Sequence, residues 1–388
     1  MNRNSIKYIL LIFTYILVNV DVLSQNINIR IFADVQLKAF HFSVVQGKYE
    51  IIANDRIVAV VDIHDSLYIN IENDFFYLYK NGVQIGEYKF AQFRGTMYSN
   101  VFMLSPGRPF VKQRVYDDDI YVEIQDGNIK VVNDVDFEKY IAAVIESEGG
   151  YVAPMEYYKV QAILCRTYAM KYFGKHINEG YNLCDRVHCQ AYNGKSVRNL
   201  DVVKATQETS GMVIVDSSLS VISATFFSNS GGETENSEDV WQKKIPYLRA
   251  VKDTFSLGQP NASWEKTILL VDWTSYLKSK GLVVNDSDNY IFNCRLNERK
   301  KYFKCGDGSV SYKDIRSDLG LKSSFFDIMK SGDTIYLKGK GYGHGVGLAQ
   351  EGAMSMARKG YSYDKIIKFY YANVLIMSIK NIEFFKVE

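Results

Sequence analysis

The segment 136–148, DFEKYIAAVIESE, ends with two carboxylates on different helical faces. Ile141, Val144, Ile145 and Glu148 fall at i, i+3, i+4 and i+7, one stripe of an α-helix. Glu146 falls with Glu138 and Ala142 on another side and is expected in water. A carboxyl group held against the apolar stripe keeps its proton to higher pH. Glu148 is thus suited to protonate a leaving oxygen near neutral pH, the work of a general acid. Spacing alone leaves a second reading open, a frayed helix end with both glutamates solvated.

A second group of chemical residues lies in 176–192, HINEGYNLCDRVHCQAY. His176, Cys184, His188 and Cys189 have the composition of a tetrahedral zinc site, although the adjacency of His188 and Cys189 departs from finger spacing. Four protein ligands leave no open position, so such a metal would brace a loop. The competing reading is a Cys184–Cys189 disulfide with two surface histidines. Cys294 and Cys305 form another close pair and Cys165 stands alone; in an exported chain close pairs point to disulfides.

The third group is GKGYGHGVGLAQEGA, 339–353, with glycine at every second position from Gly339 to Gly347 and His344 in the middle. Glycines open backbone conformations closed to other residues and admit a ligand closely. A helix expected from about Leu348 would present unpaired N–H groups to oxygen-rich ligands. No GxxxxGK[ST] phosphate loop is present. A purely structural glycine hairpin is the alternative.

These groups need elements to hold them. Residues 26–110 read as short β-branched and aromatic strands, with Asn81-Gly82 a strong hairpin signal. Two further strands flank Asp126-Gly127. The 136–148 helix follows with Asp136 as N-cap, then a helix opening at Pro154. Strand returns at 213–230, 255–330 is mixed, and the end is helical. The expected fold class is α+β: a β-rich accessory domain over 25–110 and a catalytic domain over 111–388. Arg3 and Lys7, an apolar run from Tyr8 to Val20, and Val22-Leu23-Ser24 form a signal-peptide pattern over 1–24. The expectation is an exported protein, periplasmic or held in the cell envelope, without a transmembrane span once that segment is cleaved; a retained anchor is the alternative. With 46 Lys+Arg against 44 Asp+Glu, an electrostatic grip on nucleic acid is not indicated. The 29 tyrosines and 22 phenylalanines supply strand faces, or surface for stacking on sugars.

The glycine-histidine block resembles the stage II sporulation protein D family, the SpoIID/LytB domain. Its pattern, GxGxGHGxGxxQxGAxxMAxxGxxYxxIxxxYY, is carried by Gly341, Gly343, His344, Gly345, Gly347, Gln350, Gly352, Ala353, Met356, Ala357, Gly360, Tyr363, Ile366, Tyr370 and Tyr371. FEKYIAAVIESE is similar to the segment ending in the family's catalytic glutamate, and the match falls on Glu148. KVQAILCRTYAM, with Arg166, and SNSGGETENSEDVW, Ser228 to Trp241, are similar to two further family segments. The resemblance covers about residues 111–388.

It implies a peptidoglycan lytic transglycosylase, a carbon–oxygen lyase that cuts between N-acetylmuramic acid and N-acetylglucosamine in glycan strands and leaves a 1,6-anhydro end. One glutamate would serve as acid and then base, whereas an ordinary glycosidase uses two carboxylates. The resemblance makes Glu148 catalytic. It offers Arg166, Ser228, Ser230, His344 and Gln350 for orienting sugar and acid, and zinc at His176, Cys184, His188 and Cys189. Some members modify wall amidases without cleaving glycan, so a wall-binding amidase enhancer is the alternative. Two departures stand out: Glu351 occupies an aromatic place of the family pattern, and GGYVA intervenes before Pro154.

Overall fold

A computed structural model describes residues 26–148, 152–284 and 289–386. The signal-peptide pattern at 1–24 and Gly149 to Tyr151, which follow the acid, lie outside the described residues. Strands and helices are both present, an α+β protein with a strand-rich N-terminal region. No helix among the described residues is long and apolar enough to cross a membrane.

The chain divides into two compact units, one of residues 1–147 and 172–197, the other of 148–171 and 198–388. In the first unit a seven-stranded sheet runs in the order Leu183–Cys184, Asn26–Ile31, Asn128–Asp136, Asp119–Gln125, Phe90–Gly95, Tyr49–Ala53, Arg56–Val61. A six-stranded sheet contains Arg114–Asp117, Val101–Arg108, Ala39–Gln46, Ser66–Glu72, Phe75–Lys80 and Val83–Tyr88. Strands from both sides of residue 110 therefore share each sheet. Period-two alternation turns Phe40, Phe42 and Val44 inward on one strand. Phe42, Phe102 and Tyr116 of the second sheet meet Tyr49 and Phe93 of the first in an aromatic core. Much of the chain's aromatic content is thus consumed where sheet packs on sheet. Asn81 and Gly82 adopt positive φ, as do Asp126 and Gly127, the conformations a two-residue hairpin demands.

The helix Phe137–Glu148 follows its strand directly, and Asp136 Oδ1 accepts the Lys139 N–H at 3.0 Å to cap it. Ala142 is buried with Ile141, Val144 and Ile145, so burial extends well beyond a single stripe. Glu146, partly exposed, is also engaged by the fold: Ser196 Oγ donates to it at 2.7 Å and the Val197 N–H at 3.4 Å. The carboxylate fastens the end of the 172–197 segment.

The second unit is built on the helix Met155–Lys171, buried on nearly all sides. Short pairs surround it: Met212–Val215 antiparallel to Leu375–Ser378, and Phe226–Phe227 parallel to Leu348–Ala349. A four-stranded antiparallel sheet (Ser263–Leu269, Thr334–Lys340, Phe326–Ser331, Asn293–Cys294) carries its own core around Trp273, Phe303, Tyr312 and Phe326. All five cysteines are buried thiols outside any disulfide, contrary to the bridge that the spacing of Cys294 and Cys305 suggests. Cys294 and Cys305 share the Trp273 core but face different partners, the Tyr312 hydroxyl at 3.8 Å and the Val283 carbonyl at 3.0 Å.

In the first unit, Asn133 is fully buried and locks three segments together. Its Nδ2 donates to the Asp117 and Asp119 carbonyls, both at 2.9 Å, and its Oδ1 accepts the Tyr192 hydroxyl at 2.7 Å. Asn133→Leu should lower unfolding free energy by roughly 3 kcal/mol, because all three partners are left unpaired. Urea denaturation checks this; a loss below about 1 kcal/mol would show that the network bears little load.

Candidate functional site

The alternating glycines are used first by backbone packing. Gly347 has φ +82°, and a Cβ there would overlap the Thr225 carbonyl. Gly341 has φ +77°, and a Cβ would stand 2.5 Å from the Asn229 carbonyl. With these side chains absent, 341–351 lies directly on 225–231. Asn229 and Tyr342 exchange both main-chain hydrogen bonds at 3.0 and 2.8 Å, and the Leu348 N–H donates to Thr225 O at 3.1 Å. Leu348 and Ala349, expected to open a helix, instead pair in parallel with Phe226 and Phe227; the helix begins at Gln350. Two parallel strands end side by side, so Ser228 and Gln350 leave the same edge, and the Glu351 N–H donates to Ser228 O at 3.0 Å.

The serine-glycine loop is held from beneath by buried charge. Ser230, fully buried, donates to Asp253 Oδ2 at 2.8 Å, and Asp253 also accepts from Ser256 Oγ at 2.5 Å and Tyr370 at 3.0 Å. Arg299 donates to Ser230 O at 2.9 Å, Glu233 O at 2.7 Å and Glu235 Oε2 at 3.0 Å. Burial pushes the Glu235 carboxyl up and the Arg299 guanidinium down, and each charge opposes that shift in the other. Glu351, in its unusual place, accepts from Asn229 Nδ2 at 2.6 Å, Asn261 Nδ2 at 2.7 Å and the Asn261 N–H at 3.1 Å. No motif in the sequence marks Arg299 or Asp253. Asn229 and Glu235 lie inside the serine-glycine block but between its more conspicuous residues.

His344 is occupied on both ring nitrogens. Nδ1 accepts the Val346 N–H at 3.1 Å, so Nε2 carries the proton it shares with the Phe226 carbonyl, also at 3.1 Å. Its ring lies near Phe227 and Trp241, with centroids 5.3 and 5.1 Å away. Burial lowers its pKa to about 4, helped by Arg316 and Arg299 and opposed by the Phe226 carbonyl. The imidazole is therefore neutral and fixed as one tautomer. Trp241 and Tyr342, 38 % and 43 % exposed, offer aromatic surface beside this turn.

Glu148 closes the Phe137–Glu148 helix, is half-buried, and is counted with the second unit. Gln350 Nε2 reaches its carbonyl at 3.5 Å, which joins the end of the glycine block to the acid. On the Met155–Lys171 helix, Tyr157 and Cys165 are raised by burial foremost and, further, by the Glu148 charge. Glu148, Gln350 and Ser228 thus come to one edge. Arg166 is fully buried and donates to the Met212 carbonyl at 3.0 Å and the Thr206 carbonyl at 3.3 Å. Ser230 and His344 are likewise committed to internal partners, whereas Ser228 makes no side-chain hydrogen bond among the described residues.

In the first unit, one ligand atom from each of His176, Cys184, His188 and Cys189 lies within 4.8 Å of the others. His188 Nδ1 stands 3.6 Å from Cys184 Sγ and 3.5 Å from Cys189 Sγ, and His176 Nε2 stands 3.5 Å from Cys189 Sγ. Ordinary zinc bond lengths at tetrahedral angles put sulfur and nitrogen about 3.6 Å apart, so the donor set fits zinc. His176 Nδ1 faces Glu179 Oε1 at 2.6 Å, which leaves Nε2 as the ligating atom. Cys189 is lowered to about 6, chiefly by the hydrogen bond from Cys184, so a thiolate is at hand near neutral pH.

The profile of the family described as stage II sporulation protein matches residues 125–215. The chain is 30% identical to stage II sporulation protein D of Bacillus amyloliquefaciens over 258 residues, 63% of this chain and 74% of that protein. Its counterpart in Bacillus subtilis (strain 168) is 28% identical over 267 residues, 63% of this chain and 75% of the relative. An amidase enhancer of the same organism is 27% identical over 294 residues, 61% of this chain but 40% of the relative. The chain belongs to the stage II sporulation protein D family.

The His344 geometry has a consequence for pH. Its folded pKa, about 4, lies below the ordinary 6.5, so folding favours the neutral ring. Stability from this group is full above about pH 6.5 and drains away as pH falls through 4. Urea midpoints measured from pH 7 to 4 should fall more steeply for wild type than for His344→Gln. Parallel slopes would contradict a neutral, buried His344.

Proposed function

We propose that this protein acts on the bacterial cell wall as an exported peptidoglycan lytic transglycosylase with Glu148 as its single acid/base. The observation that carries the reading is the placement of Glu148 at the edge where Gln350 and Ser228 emerge. Three carboxylates of the neighbouring loops are tied up in structure: Glu235 by Arg299, Glu351 by Asn229 and Asn261, and Asp253 by three hydroxyls. Among the described residues, the commitment of these three to structural partners favours a single-acid mechanism over a two-carboxylate hydrolase.

Protonated Glu148 gives its proton to the glycosidic oxygen as the bond from C1 breaks. The carboxylate so formed takes the proton of the sugar's own 6-hydroxyl as that oxygen attacks C1. A 1,6-anhydro ring closes, Glu148 is protonated again, and no water is consumed. Trp241 and Tyr342 supply faces on which sugar rings stack, and Ser228 and Gln350 supply hydrogen bonds at the acid. Arg166, Ser230 and His344 act beneath the site by fixing the loops that present these groups.

The zinc set (His176, Cys184, His188 and Cys189) has a structural part in this reading. Zinc there would cross-link the loop that follows Leu183, and no step passes through it.

Purified sacculi should yield anhydro-muropeptides or anhydro-ended glycan with wild type and at least a hundredfold less with Glu148→Gln. Equal products from both would remove Glu148 from catalysis. Binding to sacculi without released fragments, together with stimulation of a wall amidase, would support the amidase-enhancer reading instead. Elemental analysis should find about one zinc per chain, reduced to a trace in Cys189→Ser. A metal-free wild type with a Cys184–Cys189 disulfide by mass spectrometry would overturn the zinc assignment.

A further inference from the structure

The helix Met155–Lys171 buries polar atoms that a packing role does not explain. Gln161 is fully buried, and neither its Oε1 nor its Nε2 has a hydrogen-bond partner. The Tyr157 hydroxyl is also fully buried; the Gln350 amide acts on it but falls short of full hydrogen-bond geometry. An amide buried without partners costs stability that Met or Leu at the same position would avoid. Its presence calls for something it bonds.

Helix geometry says what that is. Tyr157, Gln161 and Cys165 lie at i, i+4 and i+8, one stripe about 12 Å long with Gln161 in the middle. The Glu148 charge opposes ionisation of both Tyr157 and Cys165, which bracket Gln161. Gln350, from the helix Gln350–Arg358, reaches the Glu148 carbonyl at 3.5 Å and also acts on the Tyr157 hydroxyl, so the main chain of the acid meets this stripe one helical turn from Gln161.

We propose that Gln161 is a positioning residue for Glu148, its amide, together with the Tyr157 hydroxyl, hydrogen-bonding the carboxylate directly or through one internal water. The inference rests on the acid/base reading of Glu148 and deepens it. A carboxyl in a wholly apolar pocket would hold its proton too tightly to act as base in the second step. An amide N–H aimed at it favours the charged form and restores the exchange between acid and base.

The test substitutes Gln161→Met, nearly isosteric and apolar, in the full chain. With 13C-labelled glutamate, the Glu148 carboxyl signal is assigned by its loss in Glu148→Gln and then titrated. Loss of the amide should raise the Glu148 midpoint by about one pH unit. Tyr157→Phe should move it the same way by less. The thermal midpoint of Gln161→Met should equal or exceed that of wild type, because an unpartnered polar group has been removed. On glycan, kcat should fall about tenfold with KM unchanged, and the basic limb of the pH profile should move up.

An unmoved Glu148 midpoint in both variants would overturn the proposal, as would a moved midpoint with unchanged kcat. The titration needs no glycan cleavage, so it reads the contact even if Glu148→Gln proves fully active. That last result would sink the acid/base reading while leaving the Gln161 contact to be judged on its own.

Discussion

The site depends on one close approach, in which the backbone of 341–351 lies against 225–231 with no side chain between. Only glycine allows it, because the positions need positive φ and stand where a Cβ would strike a carbonyl. The approach creates a two-residue parallel pair, and that pair brings Ser228 and Gln350 to a common edge. From there Gln350 reaches the helix end that carries Glu148. A single added methyl at Gly347 would part the strands and separate the groups without touching any of them.

So bare a backbone needs anchoring, and buried polar groups supply it. Arg299, Glu235, Asp253 and Asn229 bond the undersides of both loops, and Arg166 ties its helix to the carbonyls of Met212 and Thr206. Buried charges are a poor source of stability, but an arginine donating to several fixed acceptors defines one loop geometry. His344 belongs with them. Neutral and bonded at both nitrogens, it fixes the turn as a rigid bracket while Trp241 and Tyr342 beside it stay exposed.

The sequence revealed local signals well. Asp136 as N-cap, the Asn81-Gly82 and Asp126-Gly127 turns, and the alternating strands follow from short-range rules, and the structure obeys them. The His/Cys group was also legible, because its members lie close in the chain and come together in space. What escaped depended on distant partners. Glu146 looks solvated on a helical wheel until Ser196 is folded against it, and Leu348 looks like a helix start until it meets Phe226. Arg299 sits in a charged run, NERKK, that reads as surface, and only the fold shows one of those charges turned inward. Cys294 and Cys305 misled because closeness in sequence says nothing about which way each thiol points.

The account comes down to whether the glycosidic oxygen meets Glu148 at the edge shared by Gln350 and Ser228. A crystal structure of the Glu148→Gln variant with a bound peptidoglycan glycan fragment tests this most directly. The account predicts a bridging oxygen within about 3 Å of the residue 148 side chain, with sugar rings against Trp241 or Tyr342. Glycan bound elsewhere, with that side chain turned away from every glycosidic oxygen, would contradict it.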